Sequence, residues 1–442
     1  MADGSLGAAR QRIAVVGAGV AGLSAAWLLS QRHEVTLFDQ NGYLGGHSNT
    51  VEVAGERGPV AVDTGFIVYN ALNYPNLVRL FEHLGVATEA SDMSFAVTLR
   101  GGELEYAGTN LAGLFAQSSN LLRPRFWRML RDLHRFYRSA QSYRAEAARD
   151  RLSIGELLKR HAYSAAFRDD HLMPMAGAIW SATDAQMADY PAAAFIDFFA
   201  NHGLIQYSNR PQWRTVVGGS REYVRRLVAG ISGGAQVRAR VIAVTRDDAG
   251  VQIGLADGRR LPFDQVVIAT HADQALGLLE QPSADEARLL GAFRYSRNRA
   301  VLHRDPGLMP VRRAAWASWN YLSSPDSLTV TYWMNRLQPL PTRQQLFVTL
   351  NPPREVRSIE REFSYEHPLF DLAALDAQRE LARLQGARRT WFCGSYFGYG
   401  FHEDALEAAL WVAEALGGVR RPWQLARPSS RTGLPALEGV PA

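Results

Sequence analysis

An apolar run, Ile13-Ala14-Val15-Val16, stops at Gly17-Ala18-Gly19-Val20-Ala21-Gly22, and a stretch with helical apolar spacing, 23–29, follows at once. A second run, Glu34-Val35-Thr36-Leu37-Phe38, then ends on Asp39, about twenty residues beyond the glycines. Strand, glycine turn, helix and strand in that order make a βαβ unit of the dinucleotide-binding kind. Gly17 permits the tight turn, Gly19 lets the backbone approach a pyrophosphate, and Gly22 lets helix and strand pack closely. The amides from Ala18 to Ala21 lead into the helix N-terminus, where an anion is favoured. Asp39, with Gln40 beside it, is placed to accept from ribose hydroxyls.

The chain has 442 residues, enough for two or three packed units. It holds no run of about eighteen apolar residues that would cross a bilayer, and residues 1–10 do not read as a signal peptide. Cys393 is the single cysteine, so no internal disulfide forms, and no Cys/His cluster has metal-ligand spacing. A cytoplasmic location is expected. The net charge of +5 comes from arginine, because Lys159 is the only lysine.

Strand-like patterning breaks off between 116 and 212, where Arg, Ala, Leu and aromatics predict several helices. It returns from Val216 onward, with strands expected at 236–244, 251–255 and 265–269. Segments 299–304, 313–321, 328–334 and 345–350 predict an antiparallel, aromatic-rich second sheet. The tail 419–442 is punctuated by prolines and is expected to be irregular.

Leu44-Gly45-Gly46-His47 resembles the extension that follows the fingerprint in the flavin amine oxidase and phytoene desaturase superfamily, in which these amides continue along an FAD pyrophosphate. Further matches follow in the family's order: Asp63-Thr64-Gly65, Gly218-Gly219-Ser220, Arg240-Val241, Ala269-Thr270, and Cys393-Gly394-Ser395 leading into Phe401-His402-Glu403-Asp404. The resemblance implies FAD as cofactor, with Gly45, Gly46, His47, Thr64, Gly65, Val241, Thr270, Gly394, Ser395, Phe401 and His402 joining the fingerprint residues around it. It also implies a C-terminal helix whose N-terminus points at the flavin and stabilises its reduced, anionic form. Within the superfamily the chain is most similar to FAD-dependent oxidoreductases associated with cyclopropane-fatty-acid synthases, on the strings 44–50, 63–70, 301–303, 316–321 and 398–404. That similarity implies a lipid-related substrate and a synthase-like enzyme as partner.

Two departures matter. Amine oxidases of the superfamily place a lysine on a substrate-domain strand, whereas Lys159 falls in the helical stretch, and Phe401 stands where they carry a cage tyrosine. Simple amine oxidation loses ground accordingly. His402-Glu403-Asp404 could move a proton, with Phe401 as the adjoining wall, although acids in a first helical turn are expected from the macrodipole alone. His303 reads better as a satisfied core residue than as a pocket group. Trp316, Trp319, Tyr321 and Trp333 are open between core packing and an apolar pocket wall.

Seven arginines against one acid, Asp132, mark 123–144. On a helical wheel Arg128, Arg131, Arg135 and Arg138 share one face, with Phe126, Leu130, Leu133 and Tyr137 nearly opposite. A solvated surface helix is the favoured reading and peripheral contact with anionic membrane at the inner face the alternative; nucleic acid is not expected. The expected fold is therefore α/β: a Rossmann-type FAD-binding domain from 10–72, 213–272 and 386–418, a mixed-sheet substrate domain from 73–115 and 273–385, and a helical insert, 116–212, over the pocket. The expected function is removal of hydride from an apolar, fatty-acyl substrate (unsaturated, methyl-branched or cyclopropane). A redox-neutral lipid isomerase, an amine oxidase and a non-catalytic flavoprotein partner of a lipid-modifying enzyme are the alternatives.

Overall fold

The computed structural model describes residues 9–180, 182–206, 210–323, 328–426 and 431–437. A five-stranded parallel sheet carries the fingerprint, in the order Ala235–Gln236, Glu34–Phe38, Arg12–Val16, Gln265–Ile268, Thr390–Phe392. Its two central strands are almost wholly apolar and buried on both faces, as parallel strands must be when helices cover them. The fingerprint helix Val20–Leu29 is buried along its whole length and packs on the C-terminal helix His402–Gly417. A small antiparallel meander, Val241–Arg246, Val251–Leu255 and Arg260–Phe263, flanks this unit.

The second sheet has seven strands, in the order Ile359–Leu369, Arg294–His303, Phe347–Leu350, Leu328–Trp333, Trp319–Ser323, Phe95–Leu99, Leu104–Ala107. All neighbours are antiparallel except Trp319–Ser323 with Phe95–Leu99. The molecule is thus an α/β fold with a Rossmann-type sheet, a mixed sheet and helices between 116 and 212, including Pro124–Asp150, Met173–Trp180 and Ala192–Asn201.

Three expectations are corrected. The strand predicted from 313 begins only at Trp319, because the Asn320 side chain accepts from Ala317 N (2.9 Å) and donates to Ala317 O (2.6 Å). That clamp offers the backbone an alternative to ladder pairing and turns 313–315 into a short 3₁₀ segment. The eleven-residue strand Ile359–Leu369 was missed because Glu360, Arg361, Glu362 and Glu366 interrupt its apolar alternation and it contains Pro368, which an edge strand tolerates. On the arginine-rich helix the buried stripe is Phe126, Met129, Asp132, Phe136, Ala140, Tyr143 and Ala147, rotated from the one read off the wheel. Asp132 turns inward to accept the Ser164 amide at 3.0 Å, and Arg135 follows it, stacking over Tyr163 at 3.8 Å. Arg128, Arg131 and Arg138 remain exposed.

Candidate active site

At two positions, Gly17 and Gly22, the fingerprint turn accepts only glycine. Gly17 has φ +99°, and a Cβ on Gly22 would sit 1.8 Å from the Gly17 carbonyl oxygen. No side chain caps the helix Val20–Leu29 and no acid lies in its first turn, so its leading amides are left for an anionic ligand. The Leu44–His47 turn is tied to this loop by Gly45 N donating to Ala18 O (2.8 Å). His47 O in turn accepts from Phe66 N (2.7 Å), and a Cβ on Gly65 would collide with the same carbonyl at 2.3 Å. Asp63 is buried and accepts from Thr50, Ser220 and Gln338, pinning the hairpin Thr50–Gly55/Gly58–Asp63 to the Gly218-Gly219-Ser220 turn and to the region below the second sheet. Burial pushes its carboxyl up to about 6.

One cavity of about 1040 Å³ runs between the two sheets. Every residue expected at the cofactor lines it, from Gly17-Ala18-Gly19-Val20-Ala21, Asp39 and Gln40 through Gly45, Gly46, His47, Thr64, Gly65 and Val241 to Thr270, Gly394, Ser395, Phe401 and His402, with the one exception of Gly22. Gly22 instead does the packing work expected of it. Asp39 accepts the amides of Ala18 (2.7 Å) and Asn41 (2.8 Å), which aligns its carboxylate with the loop it serves. With about four acceptor sites, it keeps room for ribose hydroxyls. Glycine turn, uncapped helix and carboxylate together fit a dinucleotide.

Glu403 does not reach the cavity. Its two oxygens accept the amides of Asn76 (2.7 Å) and Leu77 (3.0 Å), the orphan donors of the helix Pro75–Leu84, so it is a capping side chain and its candidacy as a proton carrier is withdrawn. Asp404 likewise caps Phe401 N (2.8 Å) and meets Arg431 (2.8 Å). His402 stays at the cavity, stacked on Phe66 with ring centroids 3.8 Å apart and with Nε2 2.9 Å from Ser48 Oγ. Burial pushes it down to about 3, so it serves as a neutral, hydrogen-bonded wall. His303 is a core residue, bonded to Thr349 Oγ1 (2.7 Å) and Asp305 N (3.0 Å). Trp319 lines the cavity; Trp316, Tyr321 and Trp333 do not, and Trp316 packs edge-on against Trp333.

Several cavity residues escaped the sequence reading. Tyr365 hydroxyl meets Thr64 Oγ1 (2.8 Å) and Asn49 Nδ2 (2.9 Å), and His367 Nδ1 lies 3.1 Å from Asn298 Nδ2. Both sit on the overlooked edge strand; the alternation Phe363, Tyr365, His367 was the available signal. His47 is 4.8 Å from Tyr365 and 5.3 Å from His367 between ring centroids, and burial followed by its histidine neighbours holds it well below the usual imidazole range. His202, stacked 3.8 Å from Phe198, donates from Nδ1 to Phe198 O (2.8 Å). Among the described residues no group of three or more His, Cys, Asp or Glu is arranged to hold a metal ion.

Away from the glycines the cavity is walled by Phe95, Ile179, Phe198, Trp213, Trp319 and Tyr332, among others. Its lining carboxylates are Asp39, at the glycine end, and Glu366, which is held by Arg297 (3.2 Å) and faces His271 (3.4 Å). Lys159 lies elsewhere, exposed on the helix Ile154–Arg160.

Comparison with known proteins agrees with this geometry. AofH of Mycobacterium tuberculosis, whose name describes a flavin-containing monoamine oxidase, is 29% identical over 258 residues, 56% of this chain and 54% of its own length. The chain thus spans about half the length of the curated relatives it matches. The solved structure of cyclohexylamine oxidase from Brevibacterium oxydans superposes with a TM-score of 0.68 at 16% identity, covering 92% of this chain and 100% of that one. A fatty acid isomerase from P. acnes, described as producing CLA, superposes with a TM-score of 0.62 at 17% identity, covering 90% and 97%. At such identities the likeness is one of fold. The family model for flavin containing amine oxidoreductases matches residues 20–298, well over half of the chain, and the protein belongs to that family.

Proposed function

We propose that the protein is an FAD-dependent oxidoreductase that removes hydride from an apolar, fatty-acyl substrate. The observation that carries the substrate class is the far end of the cavity: aromatic and aliphatic, without lysine, and without a carboxylate left to meet an ammonium ion. FAD, when bound, supplies the hydride acceptor. The residues of this chain do the rest. The amides of Gly19, Val20, Ala21 and Gly46 would hold the pyrophosphate and Asp39 the ribose, while the N-terminus of His402–Gly417 presents its positive end to the cavity. Met175, Ile179, Trp180 and Phe198, from the helical stretch, close the apolar end against water.

An apolar chain offers little to recognise besides its shape, so a cavity walled by aromatic and aliphatic side chains away from the glycines suits it better than it suits a polyamine. A cyclopropane-fatty-acid synthase-like enzyme, producing acyl chains that this protein would then oxidise, is the partner class we associate with the reading. A cytoplasmic place for the reaction goes with it; among the described residues no helix is long and apolar enough to cross a membrane.

The test is anaerobic bleaching of the visible flavin band. Unsaturated, methyl-branched or cyclopropane fatty acids should bleach it, and primary amines and polyamines should not. Bleaching by a simple amine alone would return the protein to amine oxidation. Conversion of an unsaturated acid without net bleaching would make it an isomerase, and inertness to every acyl chain would leave a flavoprotein partner.

A further inference from the structure

We infer that one corner of the molecule, at the start of the arginine-rich helix Pro124–Asp150, is a docking surface for an anionic lipid bilayer. The short turn Ser118–Leu122 is inverted with respect to the hydrophobic effect. Asn120 is fully buried and donates to Glu105 O (3.0 Å), and Gln117, just before it, is buried and accepts from Glu105 N (2.9 Å). Its leucines point out: Leu122 is 86% exposed and Leu121 49%. Trp127, one turn into the helix, is held at the surface by its indole N–H donating to Leu121 O (2.9 Å). Leu111 begins the neighbouring helix Leu111–Leu114, and Phe115 at its end lies 6.0 Å from the Trp127 ring. Exposed leucines and a tryptophan are therefore fixed on one patch by buried amides, not left out for want of room.

Charge selects the occupant. Trp127, Arg131 and Arg138 share one helical face within about 40° of arc, and all three are exposed, as is Arg128 beside them. Arg128 and Arg138 have no carboxylate within ion-pair distance among the described residues, and Arg131 has only Asp132 at 3.9 Å. Apolar tips flanked by uncommitted guanidinium groups match a surface whose phosphates lie over hydrocarbon. A tryptophan at the boundary fits the same depth, with its ring among the acyl ends and its N–H toward the polar layer. An acidic protein would satisfy the arginines and leave Leu122 in water.

The strand Phe95–Leu99 joins this corner to the cavity. Phe95 lines the cavity, and Leu99 leads into the 100–102 turn beside the patch, about 13 Å away at strand rise. The purpose of the surface, drawing an acyl chain from a bilayer toward the cavity, rests on the acyl-substrate reading; the binding itself does not.

The experiment is co-sedimentation of the FAD-loaded protein with phosphatidylcholine vesicles, with and without phosphatidylglycerol. Three proteins are compared: wild type, Leu122→Ser with Trp127→Ser, and Arg128→Gln with Arg131→Gln and Arg138→Gln. Each variant is first checked for an unchanged flavin spectrum. Wild type should bind only the phosphatidylglycerol vesicles, less at high salt, and each variant should lose about tenfold in affinity. Equal binding by wild type and the Leu122/Trp127 variant would overturn the surface, as would indifference of wild type to anionic vesicles at low salt. So would a change in self-association without a change in vesicle binding, which would make a second copy the occupant. Bleaching by acyl chains without vesicle binding removes the surface and keeps the proposed function. Vesicle binding with no acyl bleaching does the reverse.

Discussion

Two carboxylates show how far a side chain's identity goes toward its role. Asp39 holds the fingerprint loop by accepting the Ala18 and Asn41 amides, so its replacement touches the protein as well as the ligand. Asp39→Ala should lower FAD affinity by tenfold or more, on the order of 1.4 kcal/mol, and should also lower the midpoint of chemical denaturation of the apoprotein. Fluorescence titration of apoprotein with FAD reads the first and a urea melt the second; unchanged affinity would take Asp39 out of the site. Glu403 is the converse case. Its place in a first helical turn was legible, but its partners lie on a helix more than three hundred residues earlier in the chain, and nothing local announces them. Glu403→Gln puts an NH2 donor where one of the two amides now meets its own oxygen, and an unmet buried amide costs about 1–3 kcal/mol. We expect that loss in a urea melt, with flavin spectrum and rate of flavin bleaching unchanged; a slowed rate at full flavin occupancy would put Glu403 back in the chemistry.

At the scale of elements, what was legible is what repeats at short range. The fingerprint strand, turn, helix and second strand obey two periods and one turn chemistry, and the helices of 116–212 obey one period. The sites that depend on them came out together for the same reason, since backbone amides at glycine turns need little from the rest of the chain. The edge strand Ile359–Leu369 and the Asn320 clamp were not legible, because one hides its inward residues among charges and the other replaces ladder bonds by a side chain. With the strand went Tyr365 and His367. The fingerprint itself gives a sharp test. A methyl on Gly22 would lie 1.8 Å from the Gly17 oxygen, so helix Val20–Leu29 must move away from the turn that its amides serve. Gly22→Ala should therefore purify with little or no flavin, read from the ratio of visible to ultraviolet absorbance, whereas Gly277→Ala, at an exposed position of the helix Ala272–Leu278 where a Cβ meets nothing, should stay yellow.

The whole molecule carries seven histidines whose burial holds them below the usual imidazole range: His47, His171, His202, His271, His303, His367 and His402. Each binds a proton more readily in the unfolded chain, so stability falls as pH drops below about 6.5. The loss continues until the folded groups titrate, near about 4 for His171, His303 and His367 and about 3 for His202 and His402. Buried carboxyls oppose this. Glu403, pushed up to about 7, and Asp63, pushed up to about 6, prefer a proton in the folded state, so their contribution grows as pH falls to their unfolded values. Asp184 and Asp404 are raised as well, yet four such groups stand against seven histidines, and the melting temperature should fall from pH 7 to pH 5. FAD should soften that fall. His47 shares the cavity with the glycine turns, and a diphosphate beside it favours the imidazolium that burial and its neighbours His367, His271 and His402 disfavour. The gap in melting temperature between FAD-loaded protein and apoprotein should then widen as pH is lowered, and His47→Gln should flatten it. A gap that is constant with pH in wild type, or one that widens equally in His47→Gln, would place His47 away from the phosphates and leave the amides of Gly19, Val20, Ala21 and Gly46 to carry that charge alone.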